Sequence, residues 1–253
     1  MRQAYLEPSF LALPARGALA AALRSASRRP LGDEAPPVHL IEFDADSFTP
    51  AAFADAAIVY PDSIARSVRK RQAEFLFGRL AARLALEDLR VPAATEIGIG
   101  AAREPLWPDG IAGSISHSGR YAAATAMRLG RHRGIGVDIE QVIGTQAREA
   151  LLATALDAAE AEMLDALACP RWSSNALLTA VFSAKESLFK GAFGAVGRFF
   201  DFGAARWTGW ERGSGRLHLT LTETLAAEFQ RGHVCDIVVA RLDAETVLTR
   251  FLW

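Results

Sequence analysis

The 253-residue sequence has little cysteine, almost no net charge and no long apolar run. Its two cysteines, Cys169 and Cys235, are too few for a disulfide framework and form no metal-type pair, which is typical of a reducing compartment. The formal net charge is −1, from 28 basic and 29 acidic side chains, so no global field favours nucleic acid or an anionic membrane. No apolar run reaches about 18 residues, the length of a membrane span. We expect a soluble, cytoplasmic protein without membrane insertion and without nucleic acid as a partner.

The composition, 51% hydrophobic and 23% charged, indicates an ordinary globular protein at a size where one core gives way to two. An Ala- and Leu-rich stretch at 10–23 resembles a secretion signal, but Pro14 and Arg16 interrupt it. Predicted strands and helices rarely alternate along the chain, which favours an α+β fold over a doubly wound sheet. The N-terminal and C-terminal halves of the chain have comparable numbers of predicted helices and strands.

A linker is predicted at 28–37, which contains charged residues, Gly32 and the pair Pro36–Pro37. A long helix is predicted at 62–89, capped by Asp62 or Ser63 and ended by Pro92. A glycine within this helix, Gly78, indicates close approach of another segment. Further strands are predicted at 38–43, 96–100, 121–127, 134–140, 216–222 and 234–240, and further helices at 154–167, 173–193 and 223–229.

Two carboxylates are spaced two residues apart in the predicted strand at 134–140. Residues i and i+2 of a strand point to one face about 6.6 Å apart, so Asp138 and Glu140 are expected side by side. Ile135, Val137 and Ile139 are then expected to face inward. Paired carboxylate oxygens suit Mg²⁺, which commonly shares its coordination shell with substrate phosphates. A solvated strand face is the alternative explanation of the same pattern.

A third carboxylate lies on the predicted helix at 173–193. Glu186 and Lys190 are four residues apart and share one face, whereas Lys185 is turned by about 100° from Glu186. This face would combine a carboxylate with an ammonium group. One alternative is an exposed Glu–Lys pair. A second is a capping box of Ser183 with Glu186, but the apolar spacing continues upstream of Ser183 and places it within the helix.

Several basic side chains could bind phosphate. His117 lies among hydroxyl residues and glycines at a predicted strand end, where it could donate to a phosphate oxygen or serve as a structural histidine. Arg71 and Arg79 lie off the apolar stripe of the long helix, about 12 Å apart along its axis, and Arg103 precedes a Pro/Trp turn. Guanidinium groups suit phosphate oxygens, although a solvated basic face explains each arginine alone. The sequence contains neither G-x-S-x-G nor the Walker pattern.

Taken together, these segments resemble the 4′-phosphopantetheinyl transferases, in particular the longer type with two similar halves that serves siderophore and polyketide synthetases. The resemblance depends on G-V-D-I-E at 136–140, followed later in the chain by F-S-A-K-E-S-L-F-K at 182–190. Supporting matches are K-R-Q-A-E-F at 70–75, G-R at 78–79, R-E-P-L-W-P at 103–108 and the S-I-S-H that ends at His117. The match spans about residues 60–205.

The resemblance implies a pseudo-dimeric α+β fold. It has an N-terminal half at 1–133, which carries basic residues for coenzyme A, and a C-terminal half at 134–253, which carries the acids and the catalytic helix. It assigns Mg²⁺ binding to Asp138, Glu140 and Glu186. Catalysis is assigned to Glu186 as general base, with Lys190 and Asp138. Coenzyme A binding is assigned to Arg71, Arg79, Arg103, Ser116, His117, Lys185 and Lys190.

The reaction implied by the resemblance is Mg²⁺-dependent transfer of 4′-phosphopantetheine from coenzyme A to a serine of an apo acyl or peptidyl carrier protein. The products are the holo-carrier and 3′,5′-ADP, and the enzyme is expected to be a monomer. Phe193, Phe199, Phe200 and Arg198 are candidates for carrier docking, unless the phenylalanines belong to the core. The alternatives for function are a Mg²⁺-dependent phosphatase or nuclease that uses the same acids, and a non-catalytic nucleotide-binding module.

Overall fold

Two five-stranded antiparallel sheets organise the residues that the computed structural model describes, which are 7–32, 35–92 and 95–253. One sheet lies in a unit that ends at Arg133, and the other lies in the unit Gly134–Trp253. Within these described ranges, no helix is both long and apolar enough to span a bilayer.

The first unit has one long helix packed on its sheet. Its elements are β1 (Ser9–Phe10), α1 (Gly17–Ala22), β2 (Leu23–Arg29), β3 (Val38–Phe43), α2 (Ala51–Asp55), α3 (Asp62–Ala65), α4 (Arg69–Asp88), β4 (Gly98–Ile99), β5 (Pro105–Leu106), β6 (Ile111–Ser118) and β7 (Tyr121–Arg128). The strand order of the sheet is β1-β2-β3-β7-β6, and β4 and β5 form a separate two-stranded ribbon. Helix α4 contacts β3, β6 and β7.

The second unit also packs a long helix on its sheet. Its elements are β8 (Ile135–Gln141), α5 (Thr145–Ala155), α6 (Ala158–Leu167), α7 (Ser174–Val196), β9 (Ala205–Glu211), β10 (Arg216–Leu221), β11 (Val234–Arg241) and β12 (Thr246–Leu252), with a 3₁₀ turn at Phe202–Ala204 before β9. The strand order is β8-β12-β11-β10-β9, and α7 contacts β8 and β12 most extensively.

The two units share a connectivity. In each unit a strand is followed by a long helix that packs on it, and the last strand of the unit then pairs antiparallel with that first strand. In the first unit these elements are β3, α4 and β7, and in the second they are β8, α7 and β12. The predicted α+β class with two similar halves is therefore confirmed.

The apolar stripe of the long helices forms the core of each unit. In α4, Leu76 and Leu80 are buried, and Phe77 stacks on Phe43 of β3 with the ring centroids 4.6 Å apart. Gly78 lies where Ile115 of β6 packs against the helix, since a Cβ there would be 3.0 Å from the isoleucine methyl carbon. The close approach predicted from this glycine is confirmed. Core residues of the second unit include Leu177, Val181, Leu188, Trp207, Leu219, Ile237 and Phe251.

The predicted helix at 62–89 is two helices, α3 and α4, separated by residues 66–68. The side-chain amide of Gln72 stabilises this break, because its Nε2 donates to the carbonyl oxygens of Ala65 (3.1 Å) and Ser67 (2.8 Å). Neither Asp62 nor Ser63 caps a helix, since α3 has Pro61 at its N-cap without a side-chain bond. The predicted long helix was wrong because the apolar spacing continues through a break made by local polar contacts.

Three further element predictions need correction. The helix predicted at 154–167 is interrupted at 156–157, where Asp157 begins α6 with a capping box to Glu160. The segment 223–229 contains no helix, although Leu225 and Phe229 lie in the core there. The linker predicted from residue 28 starts later, since β2 continues through Arg29. The predictions also lacked the strands β1, β2, β5, β6, β9 and β12 and the helices α1 and α2.

Candidate active site

Asp138 lies at the centre of β8 with its side chain directed at α7. The residue is 2% exposed, and its two carboxylate oxygens have different partners on the helix. Oδ2 accepts from the Ser183 hydroxyl at 2.7 Å, and Oδ1 lies 2.5 Å from Nζ of Lys190. Thr249 of β12 is the strand partner of Asp138 in β8. Its Oγ1 hydrogen-bonds to the hydroxyls of Ser183 (2.8 Å) and Ser187 (2.6 Å). The carboxylate is thus held by a polar network between strand and helix.

The side of β8 that carries Asp138 is the side that α7 covers. A Cβ at Gly136, two residues earlier, would overlap the backbone of Ser187, so this face of the strand meets the helix without space between them. Ile135, Val137 and Ile139 are buried on the opposite face. These three residues are buried, as predicted, but α7 covers the opposite side of the strand, which carries the carboxylate, so a solvated face is excluded for Asp138.

Glu186 and Lys190 extend this cluster along α7. Burial raises the pKa of the half-buried Glu186 carboxyl, the Lys190 ammonium lowers it, and the Asp138 carboxylate raises it. The structure therefore brings Asp138, Glu186 and Lys190 into electrostatic contact, although the two elements that carry them are far apart in sequence. A carboxyl with a raised pKa beside a lysine is suited to proton transfer.

Glu140 is the third acid predicted to bind Mg²⁺, with Asp138 and Glu186. It follows Asp138 on the same strand face and is half-buried. Among the described residues, no group of three or more His, Cys, Asp or Glu side chains is arranged to hold a metal ion. The Lys190 ammonium already lies on Asp138. The Mg²⁺ site on these three acids thus stays a prediction.

Lys185 lies away from this cluster, in the interior of the second unit. Its side chain is 3% exposed, and Nζ lies 2.7 Å from Oε1 of Glu160 and 2.6 Å from the carbonyl oxygen of Ala155. Burial lowers the pKa of the Lys185 ammonium, and Glu160 opposes that effect. The same Glu160 oxygen accepts from the backbone N–H of Trp207 at 2.7 Å. Lys185 thus joins helices and sheet through Glu160 and Ala155, and it is also one of the residues that line a cavity beside Glu186.

The predicted phosphate-binding residues meet in the first unit. A cavity of about 400 Å³ lies between α4, the β4–β5 ribbon and β6. Four of the seven residues predicted to bind coenzyme A line this cavity: Arg71, Arg79, Arg103 and His117. Ser116 is not among them, because adjacent strand residues point to opposite faces, and its side chain is buried.

Glu74 is the acidic residue within this basic cavity. Its Oε2 lies 3.7 Å from Nη1 of Arg71 and 3.5 Å from Nδ1 of His117, and Nη1 of Arg71 contacts Nε2 of the same imidazole at 2.5 Å. Burial raises the pKa of the Glu74 carboxyl, while Lys70 and Arg71 lower it. Glu74 thus orients the arginine and the histidine toward each other.

An aromatic cavity of about 240 Å³ adjoins Glu186 in the second unit, and its lining includes Phe189, Phe199, Phe200 and Phe202. Phe199 is 67% exposed and stacks on Phe189 with the ring centroids 5.3 Å apart. Phe193 and Phe200 are half-buried around the same ring. Among the three phenylalanines considered for docking, only Phe199 is clearly a surface residue.

Three functional side chains were missed in the sequence. Glu74 follows Lys70 and Arg71 at helical spacing, a signal that could have identified it. Ser183 was considered only as a cap, although it bonds Asp138. Thr249 gave no signal, because its contact with Asp138 depends on the pairing of β8 with the last strand of the chain.

Comparisons with known proteins match both units of the chain. Residues 60–127 match the 4′-phosphopantetheinyl transferase N-terminal domain, and residues 134–240 match the 4′-phosphopantetheinyl transferase superfamily. Enterobactin synthase component D of Salmonella typhi is 36% identical over 213 residues, which cover 81% of this chain and 86% of the relative.

Two further relatives are 4′-phosphopantetheinyl transferases by name. The 4′-phosphopantetheinyl transferase PptT of Mycobacterium tuberculosis is 37% identical over 149 residues, 57% of this chain and 61% of its own. The 4′-phosphopantetheinyl transferase Npt of Nocardia iowensis is 44% identical over 77 residues, 30% of this chain and 34% of its own. Because family models match residues 60–127 and 134–240, and a relative 36% identical covers 81% of the chain, the chain belongs to the 4′-phosphopantetheinyl transferase family.

Proposed function

We propose that this enzyme transfers the 4′-phosphopantetheine group of coenzyme A to a serine of an apo carrier protein of a siderophore or polyketide synthetase, with 3′,5′-ADP as the second product. The observation that carries the proposal is the contact of Asp138 with Lys190, beside the Glu186 carboxyl of raised pKa. The names of the relatives, an enterobactin synthase component and two 4′-phosphopantetheinyl transferases, support the choice of carrier substrate.

The cavity lined by Arg71, Arg79, Arg103 and His117 is proposed to hold phosphates of coenzyme A. Three guanidinium groups and an imidazole stand against one carboxylate, Glu74, so the cavity has an excess of positive charge in a protein that is nearly neutral. Forked N–H donors match phosphate oxygens. Lys185 is assigned a structural role instead, because Glu160 neutralises its ammonium in the interior.

The acids Asp138, Glu140 and Glu186 are proposed to hold Mg²⁺. Their carboxylates are hard oxygen donors, and three carboxylates against the single Lys190 ammonium leave two negative charges, which fits a divalent cation. When bound, Mg²⁺ would neutralise negative charge on the diphosphate during phosphoryl transfer.

Glu186 is proposed as the base that removes the proton of the carrier serine. The serine oxygen attacks the β-phosphorus, the bond from that phosphorus to the bridging oxygen breaks, and 3′,5′-ADP leaves with that oxygen. Lys190, 27% exposed and next to Asp138, can donate to the phosphate oxygens as negative charge moves to the leaving group. Asp138 orients Lys190 for this contact.

The surface next to Glu186 is proposed to receive the arm and the carrier. The aromatic cavity between Phe189 and Phe202 suits the apolar stretches of the pantetheine arm. The exposed ring of Phe199, with the neighbouring Arg198 at 52% side-chain exposure, offers an apolar and basic contact for an acidic carrier. We expect the enzyme to act as a monomer in the cytoplasm.

The experiment is incubation with coenzyme A, Mg²⁺ and a panel of apo carriers, read by intact-protein mass spectrometry. We expect about 340 Da on one serine, the mass of the arm transferred by attack at phosphorus. Glu186→Gln and Asp138→Asn should abolish transfer with an unchanged circular dichroism spectrum, whereas Glu162→Gln, an exposed residue of α6, should transfer normally.

The same assay separates the alternative functions. Release of inorganic phosphate without a carrier would favour a phosphatase, and coenzyme A binding without any transfer would favour a nucleotide-binding module. Full transfer by Glu186→Gln would overturn the assignment of the base.

A further inference from the structure

A second cavity of about 370 Å³ adjoins the basic cavity of the first unit. It lies between the loop after α2, one side of α4 and the segment that leads into β4. Much of its wall is apolar, with contributions from Ile58, Val59, Phe75 and Ile97. A concave, largely apolar space of a few hundred Å³ with a small number of charged groups is typical of a small-molecule site.

Three charged side chains line this second cavity. Arg79 and Arg83 are four residues apart on α4 and share one face of the helix, and Glu96 lies on the opposing segment. Among the lining residues, two guanidinium groups against one carboxylate leave a single positive charge, and Glu87, the acid paired with Arg83 at 3.9 Å, lies outside the lining. The charge and the apolar wall together favour a ligand with one negative charge and an apolar body.

Arg79 has an unused donor. Its Nη2 donates to the carbonyl oxygen of Gly98 at 3.1 Å, and its guanidinium carbon lies 4.7 Å from the ring centroid of Phe75. Its Nε is buried and has no acceptor among the residues that the structure describes. Burial lowers the pKa of Arg79 to about 10, which reflects the poor solvation of this cation. An anion near Arg79 would compensate both the missing acceptor and the lost solvation.

The two adjoining cavities share part of their walls. Phe75, Arg79 and Ile99 line both of them. An anion in the second cavity would draw the Arg79 guanidinium toward itself and away from a phosphate in the first. Because binding free energies are linked reciprocally, each ligand must then weaken the other by the same factor.

We infer that the second cavity binds an aliphatic monocarboxylate, and that its occupancy weakens the binding of coenzyme A in the adjoining cavity. The inference of carboxylate binding depends only on the shape and the charges of the second cavity. The second part rests on the proposed function, which places the phosphates of coenzyme A on Arg79.

Binding is tested by isothermal titration calorimetry of the full chain with sodium octanoate. We expect a saturable isotherm with one site, and at least tenfold weaker binding of the neutral octan-1-ol. Val59→Trp should abolish octanoate binding, because Val59 is 55% exposed at the cavity and a tryptophan there fills it without disturbing the core. The matched control is Val234→Trp, at a valine 51% exposed in the other unit, which should bind octanoate normally.

The charges are tested separately. Glu96→Gln should strengthen octanoate binding severalfold by removing a repulsion, and Arg83→Met should weaken it at least tenfold. Unchanged octanoate binding in Val59→Trp, or equal affinity for octanoate and octan-1-ol, overturns the site.

The coupling is measured by titrating 3′,5′-ADP with and without saturating octanoate. We expect octanoate to weaken 3′,5′-ADP binding at least fivefold in the unmodified protein and in Val234→Trp, and to have no effect in Val59→Trp. Equal 3′,5′-ADP affinity with and without octanoate overturns the regulatory part. Octanoate binding together with a complete absence of coenzyme A and 3′,5′-ADP binding instead contradicts the proposed function and leaves the carboxylate site standing.

Discussion

Gly191 of α7 lies directly against the backbone of Gly136 in β8, with no space for a side-chain carbon between them. A Cβ on Gly191 would be 2.8 Å from the Gly136 nitrogen and 2.9 Å from a ring carbon of Phe251. This close approach of helix and strand lets the carboxylate of Asp138 reach Ser183 and Lys190 on the helix. Two residues without side chains therefore set the geometry of the contacts of Asp138 with Ser183 and Lys190.

Gly191→Ala should lower both stability and transfer activity. Because the neighbouring atoms are largely backbone, helix and strand must move apart, and such overpacking costs about 1–3 kcal/mol of unfolding free energy. Urea denaturation measures this loss. Gly194→Ala on the same helix is the matched control, since nothing lies within 4 Å of its Cβ, and it should stabilise the protein by about 0.5–1 kcal/mol. Equal effects of the two variants would contradict the close-packing explanation.

Glu160→Gln should destabilise the protein strongly. The variant removes the carboxylate that lies 2.7 Å from the Lys185 ammonium, whose side chain is 3% exposed, and loss of one member of a buried pair costs about 3–5 kcal/mol. Thermal and urea unfolding measure the change. Glu162→Gln, exposed on the same helix, should stay within about 0.5 kcal/mol of the unmodified protein.

A double variant separates the charge from the packing at this site. Glu160→Gln combined with Lys185→Met should lose less stability than Glu160→Gln alone, because no unpaired ammonium then remains in the interior. A double variant that is less stable than the single variant would show that the ion pair itself is not the cause.

The segments at 136–140 and 182–190 were predicted as a strand and a helix, the helix from the regular spacing of its apolar residues, and these two elements carry Asp138, Glu186 and Lys190. The orientation of the strand could not be predicted from periodicity, since both of its faces are buried: Asp138 against the helix, and Val137 on the other side. Periodicity identifies a buried face only where the other face is solvated.

The role of Lys185 illustrates a second limit. It is adjacent to Glu186 in sequence, and the resemblance assigned it to phosphate, yet its partner Glu160 lies in a different helix. The pattern D-A-A-E at 157–160 is a capping box, and it marks the beginning of α6 that the prediction placed elsewhere. With that cap recognised, the helix boundary was predictable. The ion pair was not, because it depends on tertiary packing.

The two cysteines should differ sharply toward thiol reagents. Burial raises the pKa of the Cys235 thiol to about 12, and the residue is 1% exposed in the core, whereas Cys169 is partly exposed. Since the thiolate is the reactive form, the native protein should incorporate one equivalent of iodoacetamide, at Cys169. Peptide mass spectrometry locates the label, and Cys169→Ser should abolish it. Rapid labelling of Cys235 in the native protein would show that the core of the second unit opens readily.

Stability should decrease at mildly acidic pH because of His39. This side chain is 2% exposed in the first unit and lies with Nε2 3.0 Å from Oδ2 of Asp88. Burial lowers the pKa of the imidazole and outweighs the Asp88 carboxylate, which raises it, while Arg28 also lowers it. The folded protein therefore favours the neutral ring more than the unfolded chain does, whose histidine has a pKa near 6.5.

Below a pH of about 6.5 the unfolded chain binds more protons at this position, so the free energy of unfolding falls as the pH falls toward the lowered pKa of the folded state. Above about 6.5 the contribution of His39 is fully present. His39→Gln should remove this part of the pH dependence, and His233→Gln, at an exposed histidine of the other unit, should retain it. Urea unfolding between about pH 8 and about pH 5 measures the difference, since the slope of stability with pH counts the protons bound on unfolding. The same slope in His39→Gln as in the unmodified protein would assign the acid sensitivity to other groups.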